Sequence, residues 1–109
     1  MPEVLEGLQV ADNEPVRAEH MTAALTAGAL VFGDGATQVF TADGRTTFVE
    51  RGRPSAGEWW VEGDGEFGSF WPPSYRATYS LHWRVESGRI TGLTFIETGG
   101  GSRFEGRFR

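Results

Sequence analysis

From Tyr75 to Glu86 the chain alternates without a break. Tyr75, Ala77, Tyr79, Leu81, Trp83 and Val85 fall on one side; Arg76, Thr78, Ser80, His82, Arg84 and Glu86 fall on the other. Successive side chains of a strand point to opposite faces, so the pattern predicts a β-strand with one apolar and one wet face. At ~3.3 Å per residue such a strand is roughly 40 Å long. A domain of this length has a radius of gyration of about 13 Å. The strand must therefore bend or coil, as the strands of a barrel do.

The rest of the chain after Gly28 has the same texture, with short apolar stretches separated by glycine turns. Strands are predicted over 29–32, 37–41, 45–51, 57–62, 66–71, 75–86, 89–97 and 103–108. The pairs Asp34-Gly35, Asp43-Gly44 and Asp64-Gly65 between alternating runs are strong hairpin signals. Short turns join antiparallel neighbours. A flat meander of about eight strands would leave two open edges and a bare apolar face, and closure removes both. The expected fold is thus mainly β: an antiparallel up-and-down barrel of about eight strands with one short N-terminal helix. An α+β roll, with the helix across an open curved sheet, is the alternative. The chain reads as one domain, 1–109, with an arm over 1–15, a short helix within 16–28 and the meander over 29–108. In the arm, Val4, Leu5, Leu8 and Val10 are placed to dock on the domain. In the helix, Met21, Ala24 and Leu25 share one face, and Gly28 suits the left-handed stop.

Composition excludes several chemistries. The 109 residues contain no cysteine, and all ten basic residues are arginine. Disulfides, thiolate catalysis and lysine Schiff bases are therefore ruled out. With two histidines and no cysteine, a metal site would need carboxylates at spacings that match no ligand pattern, so neither metal nor cofactor is expected. The net charge of −5 argues against nucleic acid as a partner. No apolar run approaches the length of a membrane span, and the Met1-Pro2-Glu3 start lacks the pattern of a signal peptide. The expectation is a cytoplasmic protein with no membrane partner.

Alternation also assigns faces. Trp59 goes with Val61; Phe67 goes with Ser69 and Trp71; Leu93 goes with Phe95; Phe104 goes with Gly106 and Phe108. Glu50, Glu58, Glu62 and Glu66 are read as outer, solvated residues. The inner set is rich in rings: four Trp and two Tyr against six Leu and two Ile in the chain. Tryptophan and tyrosine keep a polar atom that needs a partner when buried, so a plain core favours aliphatic residues instead. An interior of Trp59, Trp71, Tyr75, Tyr79 and Trp83 has the composition of a ligand pocket. The tryptophans would stack on a small, partly aromatic, uncharged or weakly anionic molecule, and the tyrosines would hydrogen-bond it. The competing expectation is that the same rings simply fill the barrel. His82, on the wet side, reads as a surface histidine, and Trp71-Pro72-Pro73-Ser74-Tyr75 reads as a stiff corner at the rim.

The order Phe40-Thr41-Ala42-Asp43-Gly44, Gly57-Glu58-Trp59-Trp60-Val61, Gly63-Asp64-Gly65-Glu66-Phe67, Trp71 and Phe104-Glu105-Gly106 resembles small bacterial domains of lipocalin-like or avidin-like, calycin-type barrel shape. The resemblance runs from Ala29 to Phe108. It implies a barrel able to hold a small apolar or aromatic molecule, and it transfers no catalytic residue.

Three functions follow as expectations. The first is a binding barrel for such a ligand. The second is a cofactor-free isomerase, cyclase or hydratase with a tyrosine hydroxyl as acid and a carboxylate or His82 as base. The third is a structural or homodimeric interaction module whose contact surface is marked by Trp60 and Phe70 on otherwise polar faces.

Overall fold

Strands form here wherever apolar and polar residues alternate between glycine turns, and the eight that result close on themselves. In the computed structural model, which describes Leu5, residues 7–63 and residues 65–109, a helix α1 (Ala18–Thr26) precedes β1 (Leu30–Phe32), β2 (Thr37–Thr41), β3 (Arg45–Glu50) and β4 (Arg53–Gly63). These are followed by β5 (Glu66–Trp71), β6 (Tyr75–Glu86), β7 (Arg89–Glu97) and β8 (Arg103–Phe108). Each strand pairs with its sequence neighbours, and β8 pairs antiparallel with β1 through Leu30–Phe108 and Phe32–Gly106, so the sheet is a closed barrel. Closure leaves no strand edge running the length of the sheet, the arrangement that avoids edge-to-edge association. The open roll is excluded by the β1–β8 ladder.

The largest boundary difference from the sequence reading is at the β3–β4 hairpin. The β3–β4 connection is a two-residue turn at Arg51-Gly52, both with positive φ, 53° and 77°. Tight hairpin turns of that hand match the twist of the flanking strands. As a result β4 begins at Arg53 rather than near Gly57, and Pro54 and Ser55 lie within it. A strand proline is tolerated there because β4 pairs with β5 only from Glu58 onward, leaving one flank of the first residues free. Asp64 of the third expected Asp-Gly turn lies outside the described residues, as does Val4 of the arm.

The interior is divided in two along the barrel axis. At the end holding the β2–β3, β4–β5 and β6–β7 turns, Leu30, Leu81, Trp83, Ile90 and Leu93 pack with Met21, Ala24 and Leu25 of α1 and with Leu5 and Val16 of the arm. All three helix residues are fully buried. The helix lies against β2 and β4 and stoppers this end. The arm supplies something else. Strand β6 outruns β5, whose last ladder partner on it is Ser80. The arm takes over β5's place: Val16 N–H donates to Leu81 O at 2.8 Å, Asn13 N–H to Trp83 O at 2.8 Å, and Trp83 N–H to Glu14 O at 2.9 Å. Backbone groups that would otherwise stand unpaired beside the core are thereby satisfied. Among the described residues no helix is long and apolar enough to cross a membrane.

Midway along the barrel, Phe40, Phe67 and Phe95 meet with ring centroids 5.6–6.2 Å apart. This is the spacing at which aromatic rings attract beyond simple burial. Trp59 abuts Phe40 edge-on at 6.0 Å, and its indole N–H donates to Thr41 O at 3.0 Å. These rings form a partition.

Candidate functional site

Beyond that partition the barrel is hollow. Up-and-down topology puts the β1–β2, β3–β4, β5–β6 and β7–β8 connections at one end, and there a cavity of about 480 Å³ opens to solvent. Phe67 and Phe95 floor it. Phe32, Phe48, Trp71, Tyr79 and Phe104 form its walls, and Asp34, Glu50, Pro72 and Tyr75 stand at its mouth. The space exists because several inward positions between those rings are small. Ala36, Ser55 and Ser69 line the cavity directly, and buried Gly57 and Ala77 lie on the same faces. The other half carries Leu30, Leu81, Trp83 and Leu93 at inward strand positions, and these with Met21 and Leu25 of the helix fill the lumen.

The five predicted ligand residues are split by the partition. Trp71, Tyr75 and Tyr79 line the cavity. Trp59 and Trp83 do not; they are 6% and 1% exposed and belong to the packed half and its boundary. The inward orientation is common to all five, but orientation does not set depth along the axis. Residues that the sequence did not single out as ligand contacts complete the lining: Phe32, Phe48 and Phe104 as apolar walls, Phe95 as floor, Gln38 and Ser69 as polar points. Their shared signal is parity. Each stands two residues from another inward residue: Phe32 from Leu30, Gln38 from Phe40, Phe48 from Thr46, Ser69 from Phe67, Phe95 from Leu93 and Phe104 from Gly106.

Glu50 is a correction. The sequence reading placed it on an outer face, yet it lines the mouth. It shares the inward parity of Thr46 and Phe48, and the β3–β4 hairpin ends before the strand can turn it outward.

The polar groups of the cavity have definite states. The Gln38 side-chain amide donates to Thr46 Oγ1 at 3.0 Å, whose own hydroxyl donates to Val39 O at 2.8 Å. The Trp71 indole N–H donates to Ser69 Oγ at 3.2 Å. Its ring lies on Gly57, where a Cβ would come within 2.6 Å of Trp71 Cε3. Tyr75 donates to Glu97 Oε2 at 2.9 Å, which raises its pKa. Burial, then the proximity of Tyr75 and the Glu97 charge, pushes the Tyr79 phenol up to about 12. Tyr79 thus remains a neutral hydroxyl facing the hollow at physiological pH.

Other candidates fall away from the cavity. His82 lies on the outer wall beneath the arm, its Nδ1–H donating to Asn13 O at 3.1 Å and its Nε2 3.2 Å from Ser80 Oγ. It holds the arm down and faces no cavity. Trp60 and Phe70 are half-buried on the outside. The Arg76 guanidinium carbon lies 5.2 Å from each ring centroid, and the Trp60 indole donates to Glu62 Oε2 at 2.7 Å. The two rings are therefore engaged with a cation on their own sheet. Among the described residues no three His, Asp or Glu side chains gather as metal ligands.

Fold and site together define a small closed antiparallel barrel, stoppered at one end by a helix and hollow at the other. The chain matches no protein-family model, no curated protein and no solved structure.

Proposed function

We propose that this is a small-molecule-binding barrel of calycin type that takes an apolar or aromatic ligand into the half opposite the helix. The hollow itself carries the reading. Its volume of about 480 Å³ falls within the range of ligand sites, which are mostly apolar with a few directed polar groups. Trp71 and Phe48 offer flat faces, and the protonated Tyr79 hydroxyl offers a hydrogen bond. Two of the four exposed large hydrophobic residues among the described ones, Tyr75 and Phe104, line the opening, where a bound molecule would cover them.

Only one of the four tryptophans lines the cavity, which makes the test specific. Titration with the neutral fluorophore N-phenyl-1-naphthylamine should quench tryptophan emission with one-to-one stoichiometry. The quench should be largely lost in Trp71→Phe and kept in Trp59→Phe. A wild-type titration with no saturable change overturns the reading.

A second reading draws on the Tyr79 phenol alone: the barrel as a cofactor-free isomerase, cyclase or hydratase, with Tyr79 as acid and a mouth carboxylate as base. It predicts conversion of the bound molecule that Tyr79→Phe abolishes while leaving binding intact.

A further inference from the structure

The arginines of this protein are distributed unevenly among its carboxylates. Glu19, Asp43, Glu86 and Glu105 each have an arginine within 4 Å, and every ion pair among the described residues involves one of these four. The three carboxylates at the cavity end, Asp34, Glu50 and Glu97, have none. Asp34 accepts the Ala36 N–H at 3.0 Å within its turn, and Glu97 accepts the Tyr75 phenol. The Glu50 carboxylate has no hydrogen-bond or ion-pair partner among the described residues, although it lines the mouth. Arg51 and Arg53 flank it in the hairpin, but neither lines the cavity. No arginine does.

Asp34, Glu50 and Glu97 come from β1–β2, β3 and β7, which are separate arcs of the closed ring, so their negative fields converge on the opening. Trp71 and Tyr75, ladder partners at the same level, also line the opening, and aromatic rings attract cations through their π-systems. An anion entering here would meet the Asp34 and Glu50 carboxylates first, because the nearest cations, Arg51 and Glu50's ladder partner Arg53, are not part of the cavity lining.

Resting on the cavity reading above, we infer that the ligand is a cation with an apolar body: a primary or quaternary amine carrying an aromatic or aliphatic group. The body occupies the hollow down to Phe67 and Phe95. The ammonium stays at the mouth, among Asp34, Glu50 and the Trp71 and Tyr75 rings, where it keeps part of its hydration. This departs from the uncharged or weakly anionic ligand expected from the sequence.

Three molecules with one body and different heads test it: 4-phenylbutylamine, 4-phenylbutan-1-ol and 4-phenylbutyrate, titrated by calorimetry at low and at physiological salt. The amine should bind roughly five- to tenfold more tightly than the alcohol, the range expected for partly exposed charge pairs and cation–π contacts. The carboxylate should bind most weakly. The amine's advantage should shrink as salt screens the mouth. Glu50→Gln and, separately, Asp34→Asn should bring the ratio of amine to alcohol affinity toward one. Both substitutions are at exposed rim positions, and circular dichroism spectra should match the wild type. Equal affinity for amine and alcohol, or tighter binding of the carboxylate, overturns the charge assignment while leaving the cavity reading intact. Silence from all three overturns both.

Discussion

The phenol of Tyr75 donates a 2.9 Å hydrogen bond to Glu97 Oε2 and so ties the first residue of β6 to the last of β7. The two are not ladder partners; Glu97 pairs with Tyr79. The bond reaches diagonally across the rim, where β6 runs beyond β7, and places a carboxylate behind both cavity tyrosines. That carboxylate raises the pKa of each phenol.

The stability of the barrel should fall in alkali between about pH 10 and 12. Tyr79 ionises near 10 in the unfolded chain and near about 12 in the folded one. In that interval the unfolded state has lost a proton that the folded state keeps, so its stabilising contribution, full below pH 10, disappears as pH rises through the folded value. Tyr75 is shifted the same way. The chain has no lysine to obscure the window, and arginine stays charged through it. Urea midpoints measured across this range should drop in the wild type and drop less in Tyr79→Phe. A flat profile would contradict the burial of the phenol.

Gly57→Ala should act on the cavity from behind. The new methyl would lie 2.6 Å from Trp71 Cε3 and 2.8 Å from Phe70 O. The backbone oxygen is held in a ladder and cannot retreat, so the indole must swing toward the hollow. Overpacking of this kind costs about 1–3 kcal/mol. The expected result is a lower urea midpoint together with weaker uptake of N-phenyl-1-naphthylamine.

Trp83 and Trp71 should separate folding from binding. Trp83 is 1% exposed and lies within the packed half, so Trp83→Ala should cost about 3–5 kcal/mol in urea unfolding. Trp71 is half-buried and borders a space already empty. Trp71→Ala should cost distinctly less stability and nearly all of the ligand response. Comparable stability losses in the two variants would argue against the division of the interior.

Deleting residues 1–16 should make the protein associate more than the full chain does. The arm's bonds to Leu81 and Trp83 would be lost, leaving a short unpaired edge on β6 of the kind that recruits another strand. Size-exclusion chromatography at several concentrations should show dimers or larger species for the truncated chain. A stable truncated monomer would show that the arm is dispensable.

Much of the barrel was legible because strand patterning is local. The parity of Tyr75, Tyr79, Leu81 and Trp83 reports a face without reference to any other strand. Two-residue glycine turns then dictate antiparallel neighbours, and eight strands with one apolar face dictate closure. Where local signals competed, the reading slipped. The stretch Gly52-Arg53-Pro54-Ser55 read as the turn, with Arg51 still in the strand before it. The positive φ accepted by Arg51, 53°, decided for the tighter turn and moved Pro54 into β4.

Depth along the axis was not legible in the same way. Trp59, Trp71 and Trp83 have the same orientation in their strands, yet one borders a partition, one faces a hollow and one is sealed beneath a helix. Their levels follow from ladder register between strands far apart in sequence, from the shear of a closed ring and from where α1 seats. The chain alone thus determined that this protein is a barrel with rings turned inward, because side-chain alternation is a property of neighbouring residues. Only the tertiary structure decided that Leu30, Leu81, Trp83 and Leu93 share one half with the helix while Ala36, Ser55 and Ser69 meet, between ringed walls, around a hollow other half. Whether inward side chains fill a lumen depends on which of them arrive at the same level.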